Sequence, residues 1–154
     1  FPLLSKHFEQ IAMAKVSASA LEAKEMGYLK TEDIIIANPD ELLYVAKQQA
    51  IAMLESGFRS PLDDTFKVVG KAGYANIMAQ VANLFEGSFM SQHDKYCISS
   101  LAKVMTGSLV EENTVVNSKM LLDLEQKYFV ELLGTQKTQD RIEFMLRNSK
   151  PLRN

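Results

Sequence analysis

The sequence predicts an all-α fold, an irregular assembly of about six to seven helices. Apolar residues recur at intervals of three and four along most of the 154 residues, the spacing that places side chains on one helix face. Residues typical of helix starts, and glycines typical of helix ends, separate these stretches. The length corresponds to about one domain, so residues 1–154 are predicted to form a single unit.

The first part of the chain is predicted to hold three helices. The first is centred on Phe8 and extends to Val16. The second begins in a capping box, in which Ser19 accepts from first-turn amides and Glu22 reaches back to the cap amide. This helix ends at Gly27, because glycine readily takes the left-handed conformation that a helix end often needs.

A loop is predicted over residues 28–37, with a short extended stretch at 34–36. The third helix begins at Asn38, whose side chain can cap it. Pro39 suits the first turn, where its missing N–H is not needed. Apolar residues at helical spacing then continue to Gly57, which ends the helix.

The middle of the chain is predicted to combine a linker, a short extended segment and two helices. Residues 59–64 are typical of a linker, and residues 66–70 predict a short strand or an extended connector. Two helices follow, one with an apolar stripe within 74–85 and one over 91–107. A polar loop is predicted for residues 108–117.

Two final helices are predicted over about 118–133 and 136–147, separated by Gly134 and Thr135. The apolar residues predicted to face inward on the last helix are Ile142, Met145 and Leu146.

Composition excludes several classes of protein. The 17 Lys and Arg against 19 Asp and Glu give a net charge of −2, and 47% of the residues are hydrophobic. A disordered chain would have fewer apolar residues and a larger net charge. No apolar run approaches the roughly 18 residues of a membrane span, and no basic excess favours nucleic acid as a partner.

Cys97 is the single cysteine, so the chain can form no internal disulfide and no cysteine-built zinc site. A reducing, cytoplasmic setting is the natural interpretation. The chain starts at Phe1 with neither an initiator Met nor a signal-peptide pattern, which predicts an excised piece of a longer protein.

Few residues form a set that could carry catalysis. His7 and His93 lie far apart, with no cluster at metal-ligand spacing, so no metal site is predicted. Asp94 is best explained as a first-turn acid stabilised by the helix dipole. Cys97 and His93 could form the nucleophile pair of a hydrolase, but a buried small hydrophobe is the favoured interpretation of Cys97.

The end of the chain carries an excess of positive charge. Residues 141–154 contain four Lys or Arg and one Glu, giving a local net charge of +3. Such a tail beside an exposed aromatic, here Phe144, can hold a phosphate and stack a base. Cations also suit the negative end of a helix, and on physical grounds alone that simpler explanation is favoured. The cations are Arg141, Arg147, Lys150 and Arg153.

Two stretches resemble a known family. Residues 11–29, with their Ser-Ala-x-x-Ala-x-x-x-Gly turn from Ser19 to Gly27, resemble the enoyl-CoA hydratase (crotonase) family just after its catalytic region. Asp40-Glu41-Leu42-Leu43 matches the family's next element, and residues 134–151 resemble its terminal helix. The resemblance covers residues 1–57 and 117–154, with 58–116 as a helical insertion. The overall pattern is most similar to multifunctional bacterial 3-hydroxyacyl-CoA dehydrogenases with a C-terminal crotonase-like region.

The resemblance implies the C-terminal fragment of a fatty-acid β-oxidation enzyme that hydrates enoyl-CoA and/or oxidises 3-hydroxyacyl-CoA with NAD. The family's oxyanion amides and glutamates lie earlier, so it implies no catalytic residue in this chain. It places Phe144 against the adenine of CoA, and Arg147, or Lys150 instead, near the CoA phosphates. The implied partners are the upstream regions of the same chain, and a further copy in a homo-oligomer. The alternative hypothesis is an autonomous helical protein-interaction module without enzymatic activity.

Overall fold

The structure is a computed structural model that describes residues 2–60 and 64–154. Helices make up most of the described chain, which confirms the all-α prediction apart from one small ribbon of two strands. In chain order the elements are α1 (Pro2–Ala12), α2 (Ala20–Met26), a 3-10 turn (Pro39–Glu41), α3 (Leu42–Glu55), β1 (Thr65–Lys67), α4 (Gly70–Glu86), α5 (Gln92–Thr106), β2 (Val115–Asn117), α6 (Ser118–Leu133) and α7 (Gln136–Asn148).

The described residues fall into two compact units. The larger unit holds residues 2–14 and 64–154, and the smaller one holds residues 15–60. The linker predicted over residues 59–64 lies partly outside the described residues. The helical insertion at 58–116 stays a prediction; its ends lie near the start of β1 and the end of β2.

Helix α5 lies at the centre of the larger unit, where it contacts α1, α4 and α6. Full burial of an aliphatic side chain stabilises the fold by about 1.5–3 kcal/mol, so this packing dominates the stability of the unit. The largest fully buried side chain of the unit is that of Ile77, which is 1% exposed. The core cluster consists of Phe8, Ile77, Val81 and Ala102.

The strands β1 and β2 form an antiparallel ribbon, with Phe66 opposite Val116. Residues 66–70 were predicted as a short strand or an extended connector, and β1 covers the first two of them; its partner β2 was predicted as part of a polar loop. A strand of three residues gives too short a pattern to detect, and its pairing depends on contacts distant in sequence. The residue after the ribbon, Val68, packs against Gly107 at the end of α5.

Helix caps follow the sequence closely. At α5 the Ser91 hydroxyl accepts from the Asp94 amide and the Asp94 carboxylate accepts from the Ser91 amide, a complete capping box. Asn38 caps the 3-10 turn that leads into α3, as predicted. At α2 the predicted Ser19 cap is present, whereas the Glu22 carboxylate accepts from the Ala18 amide, one residue before the cap.

The first helix is shorter than predicted. It ends at Ala12 rather than at Val16, because Ala14 adopts a left-handed conformation with φ of 51° and its amide donates to the Ile11 carbonyl. That turn takes the chain out of the helical path, and Val16 is exposed. No glycine marks this helix end, so the sequence carries no signal for it.

The inward face predicted for the last helix is wrong. Ile142, Met145 and Leu146 are exposed, and Leu146 is 80% exposed. The side chains that α7 directs at α5 are polar, Thr138 and Arg141, which bond to residues at the start of α5. The polar contacts between the two helices therefore set the orientation of α7, and its apolar residues face solvent.

The exposed area exceeds that of compact proteins of this size. The chain exposes 11349 Å², whereas two separately compact units of these sizes would together expose about 9,300 Å². The excess is about 2,000 Å². Within the described residues, no helix is long and apolar enough to cross a membrane.

Candidate functional site

The predicted CoA-contacting residues lie on and just after the last turns of α7. Phe144 is 36% exposed, so part of its surface is accessible to a ligand. Arg147 follows three residues later, a spacing that places two side chains on neighbouring positions of a helix surface. Its guanidinium lies 2.6 Å from the carboxylate of Glu143, and both side chains are largely exposed.

A left-handed residue ends α7 and redirects the chain. Ser149 has a φ of 52°, and its amide donates to the Met145 carbonyl at 2.8 Å. The Asn148 amide group donates to the Phe144 carbonyl at 3.0 Å. Lys150 follows this turn and is exposed. The structure thus brings Phe144 and Arg147 onto one stretch of helix surface, with Lys150 just beyond the helix end.

A shallow, open depression of about 420 Å³ lies along the exposed side of α7. Its surface is mainly apolar, with charge at the edge from Glu143 and Arg147. The depression includes Arg147 of the predicted residues but not Phe144. The lining residues are Gln139, Ile142, Glu143, Leu146 and Arg147.

Arg141 anchors α7 to the start of α5, within the larger unit. Its guanidinium donates to the Asp94 carboxylate at 2.7 Å and to the Ser91 hydroxyl at 3.4 Å. It also donates to the side-chain oxygen of Asn154 at 2.7 Å and to the Asn154 backbone oxygen at 3.2 Å. One side chain therefore holds the start of α5, α7 and the segment after α7 together.

A buried histidine reinforces this junction. His93 is buried, and its Nε2 lies 2.9 Å from the Thr138 hydroxyl on α7. The Thr135 hydroxyl donates to Thr138 at 2.8 Å, which extends the hydrogen-bonded chain. Burial lowers the pKa of His93 below its ordinary value, and the charges of Arg141 and Lys137 lower it further, while Asp94 opposes them. His93 is thus held in its neutral form.

Asp94 is held as a carboxylate. Burial alone would raise its pKa, but the hydrogen bond from the Ser91 amide and those from Arg141 and the Ser91 hydroxyl keep the pKa below its ordinary value. The prediction that Asp94 is a structural first-turn acid is confirmed by its place in the capping box. Its carboxylate completes the cap at the start of α5 and pairs with the Arg141 guanidinium.

No nucleophile is activated at this junction. Desolvation raises the pKa of the Cys97 thiol, so the thiol is protonated at neutral pH and a poor nucleophile. Cys97 is partly buried, a less complete burial than predicted. Over residues 2–60 and 64–154, no three His, Cys, Asp or Glu side chains are grouped so that they could hold a metal ion.

Arg141 was predicted only as one of the cations of the tail, and its structural role was not predicted. One signal could have found it: Thr135, Thr138 and Arg141 recur at intervals of three and form a polar stripe along one side of α7. A polar stripe at helical spacing that faces a capped helix start indicates a polar helix contact rather than a solvated surface.

Comparisons with known proteins give one clear similarity. The chain is 44% identical over 149 residues, 97% of its length, to the "Probable 3-hydroxyacyl-CoA dehydrogenase" of Bacillus subtilis (strain 168). The aligned region is 19% of that protein, so the chain spans about a fifth of the relative's length. No protein-family model matches the chain, and no solved structure matches it.

Proposed function

We propose that this chain is a non-catalytic segment of a larger, cytoplasmic β-oxidation enzyme of the 3-hydroxyacyl-CoA dehydrogenase type. The observation that carries the proposal is the 44% identity to the Bacillus protein over 97% of this chain and only 19% of that relative. The larger enzyme would oxidise 3-hydroxyacyl-CoA with NAD, and a crotonase-like region within it would hydrate enoyl-CoA.

The segment's first role would be packing against the rest of that enzyme, including contacts between its subunits. The excess of about 2,000 Å² of exposed surface supports this role, because one partner of a stable interface contributes about 800 Å². The exposed apolar residues of α6 and α7 support it as well. An autonomous interaction module would expose apolar surface too, but it does not account for the similarity to a CoA-dependent enzyme.

Its second role would be to contact CoA through the end of α7. Phe144 would stack on the adenine, and Arg147 or Lys150 would contact the phosphates. The exposure of Phe144 and Arg147 on neighbouring helix positions supports this assignment. The anchor formed by Arg141 supports it as well, because a fixed helix end loses little conformational entropy when a ligand binds.

Arg147 is free to change partner. Its present partner is Glu143 on the same helix, in an exposed pair. Exposed pairs of this kind contribute about 0.3–0.5 kcal/mol. A charge-assisted bond to a phosphate is stronger, so CoA would displace Glu143 from the guanidinium.

The test measures ligand binding to the full-length polypeptide that contains this chain. Arg147→Ala is expected to weaken CoA binding about tenfold, with less than about a twofold change for dephospho-CoA, which lacks the 3′-phosphate. The matched control is Lys119→Ala, which breaks an exposed pair of the same spacing on α6 and should leave both affinities unchanged. Equal losses for the two ligands on Arg147→Ala would contradict the assignment of Arg147.

A second variant tests the exchange of partners. Glu143→Gln removes the competing carboxylate without changing the shape of the side chain, so CoA binding should tighten by about two- to fivefold. Assay of the unmodified full-length polypeptide for NAD reduction by 3-hydroxyacyl-CoA tests the enzyme class itself. A native polypeptide without that activity would favour the interaction module.

A further inference from the structure

Polar side chains hold the start of α5 against α7. Nε2 of the buried His93 lies 2.9 Å from the Thr138 hydroxyl, and the Arg141 guanidinium lies 2.7 Å from the Asp94 carboxylate. None of the 13 residues of α7 is buried, so hydrogen bonds and charge contribute more to this contact than apolar burial does. We call these four residues the α5–α7 junction.

The surroundings of His93 disfavour a positive charge on its imidazole. His93 is the second residue of α5, and the positive end of a helix dipole repels a cation. Lys137 and Arg141 on α7 place two further positive charges near the ring. The residue is only 6% exposed, so little water can solvate an imidazolium there. The junction is therefore suited to the neutral form of His93.

One carboxylate opposes these effects. Asp94, the next residue of α5, favours a proton on His93, but its carboxylate already accepts from the Ser91 amide and from Arg141. A charged His93 would compete with Arg141 for this acid. The Tyr96 ring also lies beside the imidazole, with 6.1 Å between the ring centroids. Among the described residues, no charged group of α1, α4 or α6 contributes to the pKa shift of His93.

We propose that the α5–α7 junction is a pH-sensitive contact, which loosens when His93 takes up a proton. The imidazolium would be repelled by Lys137 and Arg141, and movement of α7 away from α5 would let water reach it. The segment after α7 would loosen with the helix, because Arg141 also donates to both oxygens of Asn154. Proton uptake at one buried ring thus changes the position of a whole helix and of the segment that follows it.

Proton linkage gives the direction of the effect. While α7 is docked, burial and the two neighbouring cations hold the pKa of His93 below 6.5. When α7 has moved away, the imidazole is solvated and its pKa returns toward 6.5. The loosened state therefore takes up the proton first as the pH falls through 6.5. The contact is strongest above that pH and weakens below it, down to the docked pKa.

The consequence for CoA rests on the proposed function. Phe144 and Arg147 follow Arg141 on the same helix by three and six residues. A loosened α7 has more conformational entropy to lose when these two side chains contact a ligand. The affinity for CoA should therefore decrease in the pH range in which His93 takes up its proton.

The first test is hydrogen exchange of the full-length polypeptide that contains this chain, at about pH 7.5 and about pH 5.5. The rates are corrected for the intrinsic effect of pH on exchange. The protection of the α7 amides should fall by about threefold or more at the lower pH, and these amides should exchange faster than those of α4. Unchanged protection of α7 would overturn the proposal. Equal protection of α7 and α4 at both pH values would overturn it too, because α7 would then open only with the whole unit.

Two histidine variants assign the effect to one ring. His93→Gln keeps a neutral side chain that can bond to Thr138 but takes up no proton, so the loss of α7 protection should disappear. The matched control is His7→Gln on α1, since the His7 ring bonds to Gln10 of its own helix; the loss should persist in that variant. A loss that survives His93→Gln would overturn the proposal.

A third variant tests the repulsion itself. Lys137→Gln removes one of the two cations near His93 while leaving the backbone carbonyl that accepts from Asn154. The loss of α7 protection at the lower pH should be smaller in this variant than in the unmodified polypeptide. An equal or larger loss would contradict the role of Lys137 in the pH-sensitive contact.

CoA binding separates this inference from the proposed function. The phosphate of CoA itself titrates near about pH 6, so variants are compared at the same pH. At about pH 5.5, His93→Gln should bind CoA about threefold more tightly than the unmodified polypeptide, and at about pH 7.5 equally well. Loosening of α7 without this difference would support the pH-sensitive contact and contradict the CoA contact of α7. Absence of loosening would overturn the inference alone and leave the proposed function.

Discussion

Helices α5 and α3 have similar lengths, but buried residues occur in the more polar helix, α5, and not in the more apolar one, α3. Helix α5 contributes four buried residues, of which His93, Ser100 and Thr106 are polar. Helix α3 is richer in apolar residues and contributes none. The apolar content of a helix alone therefore does not determine how much of it is buried in this chain.

Two of these polar residues, Ser100 and Thr106, tolerate burial because their own helix satisfies their hydroxyl groups. The Thr106 hydroxyl donates to the Ala102 carbonyl at 2.8 Å, and the Ser100 hydroxyl donates to the Tyr96 carbonyl at 3.2 Å. Their small size lets α1, α4 and α6 approach. The apolar side chains of α3, by contrast, lie at the surface of its unit.

The largest expected difference is between a substitution in the core around α5 and a substitution on the surface of α3. Ile77→Ala should lower the free energy of unfolding by about 2–5 kcal/mol, because it leaves a cavity where no solvent reaches. Leu43→Ala in the 154-residue chain should change it by less than about 0.5 kcal/mol, since Leu43 is exposed. Urea unfolding measures both. Similar losses for the two variants would break the comparison.

The glycines that follow the two helices give a second contrast. Gly107 after α5 and Gly57 after α3 both have positive φ, 80° and 76°. Alanine at Gly57 meets nothing within 4 Å, so it should cost about 1 kcal/mol of backbone strain. Alanine at Gly107 would place its Cβ 2.6 Å from a methyl of the buried Val68 and should cost about 2–4 kcal/mol. Thermal unfolding compares the stability of the two variants. Equal losses of stability would show that the Val68 side chain moves aside easily.

The anchor of α7 gives a third contrast, between two arginines of one helix. Arg141→Ala should cost about 2 kcal/mol, because it leaves the partly buried carboxylate of Asp94 without its cation. Arg147→Ala should cost less than about 0.5 kcal/mol, because its pair is exposed. Chemical unfolding measures the difference, and hydrogen exchange of the α7 amides shows whether the helix loosens. An Arg141→Ala variant as stable as Arg147→Ala would contradict the anchor.

The smallest expected effect is a pH dependence specific to α5. Because the folded state lowers the pKa of His93, the unfolded chain takes up the proton first as the pH falls through 6.5. His93 therefore reduces stability from about that pH downward, to its folded pKa. His93→Gln should flatten this part of the stability curve. The contribution of Asp94 has the same sign but begins only below its ordinary pKa of 3.8, so the two contributions begin at different pH values.

Local sequence determines the helix starts, which is why they could be predicted. The capping box of Ser91 and Asp94 requires residues three positions apart and nothing else from the fold. The starts predicted at about residues 118 and 136 agree with those of α6 and α7, and each helix is capped by the side chain just before it. These signals survive in any tertiary context, because their hydrogen bonds close within one turn.

The features that escaped prediction depend on contacts between distant residues. The second strand forms because Val116 meets Phe66, and the orientation of α7 follows from Arg141 reaching Asp94. Periodicity assigned the apolar residues of α7 to the interior, but the polar contact at α5 determines its orientation. At the candidate site, the family resemblance singled out Phe144 and Arg147, whereas the contact of Arg141 with Asp94 was found only in the structure.

The ribbon of β1 and β2 has a consequence for the order of folding. Pairing Thr65 with Asn117 closes a loop of about 50 residues, and the entropy lost on closure grows with the logarithm of loop length. Helices α4 and α5 form from contacts between near neighbours in sequence, and their docking already brings the two strands together. We therefore expect the ribbon to form after the helix pair, so that mutations within it speed unfolding rather than slow folding.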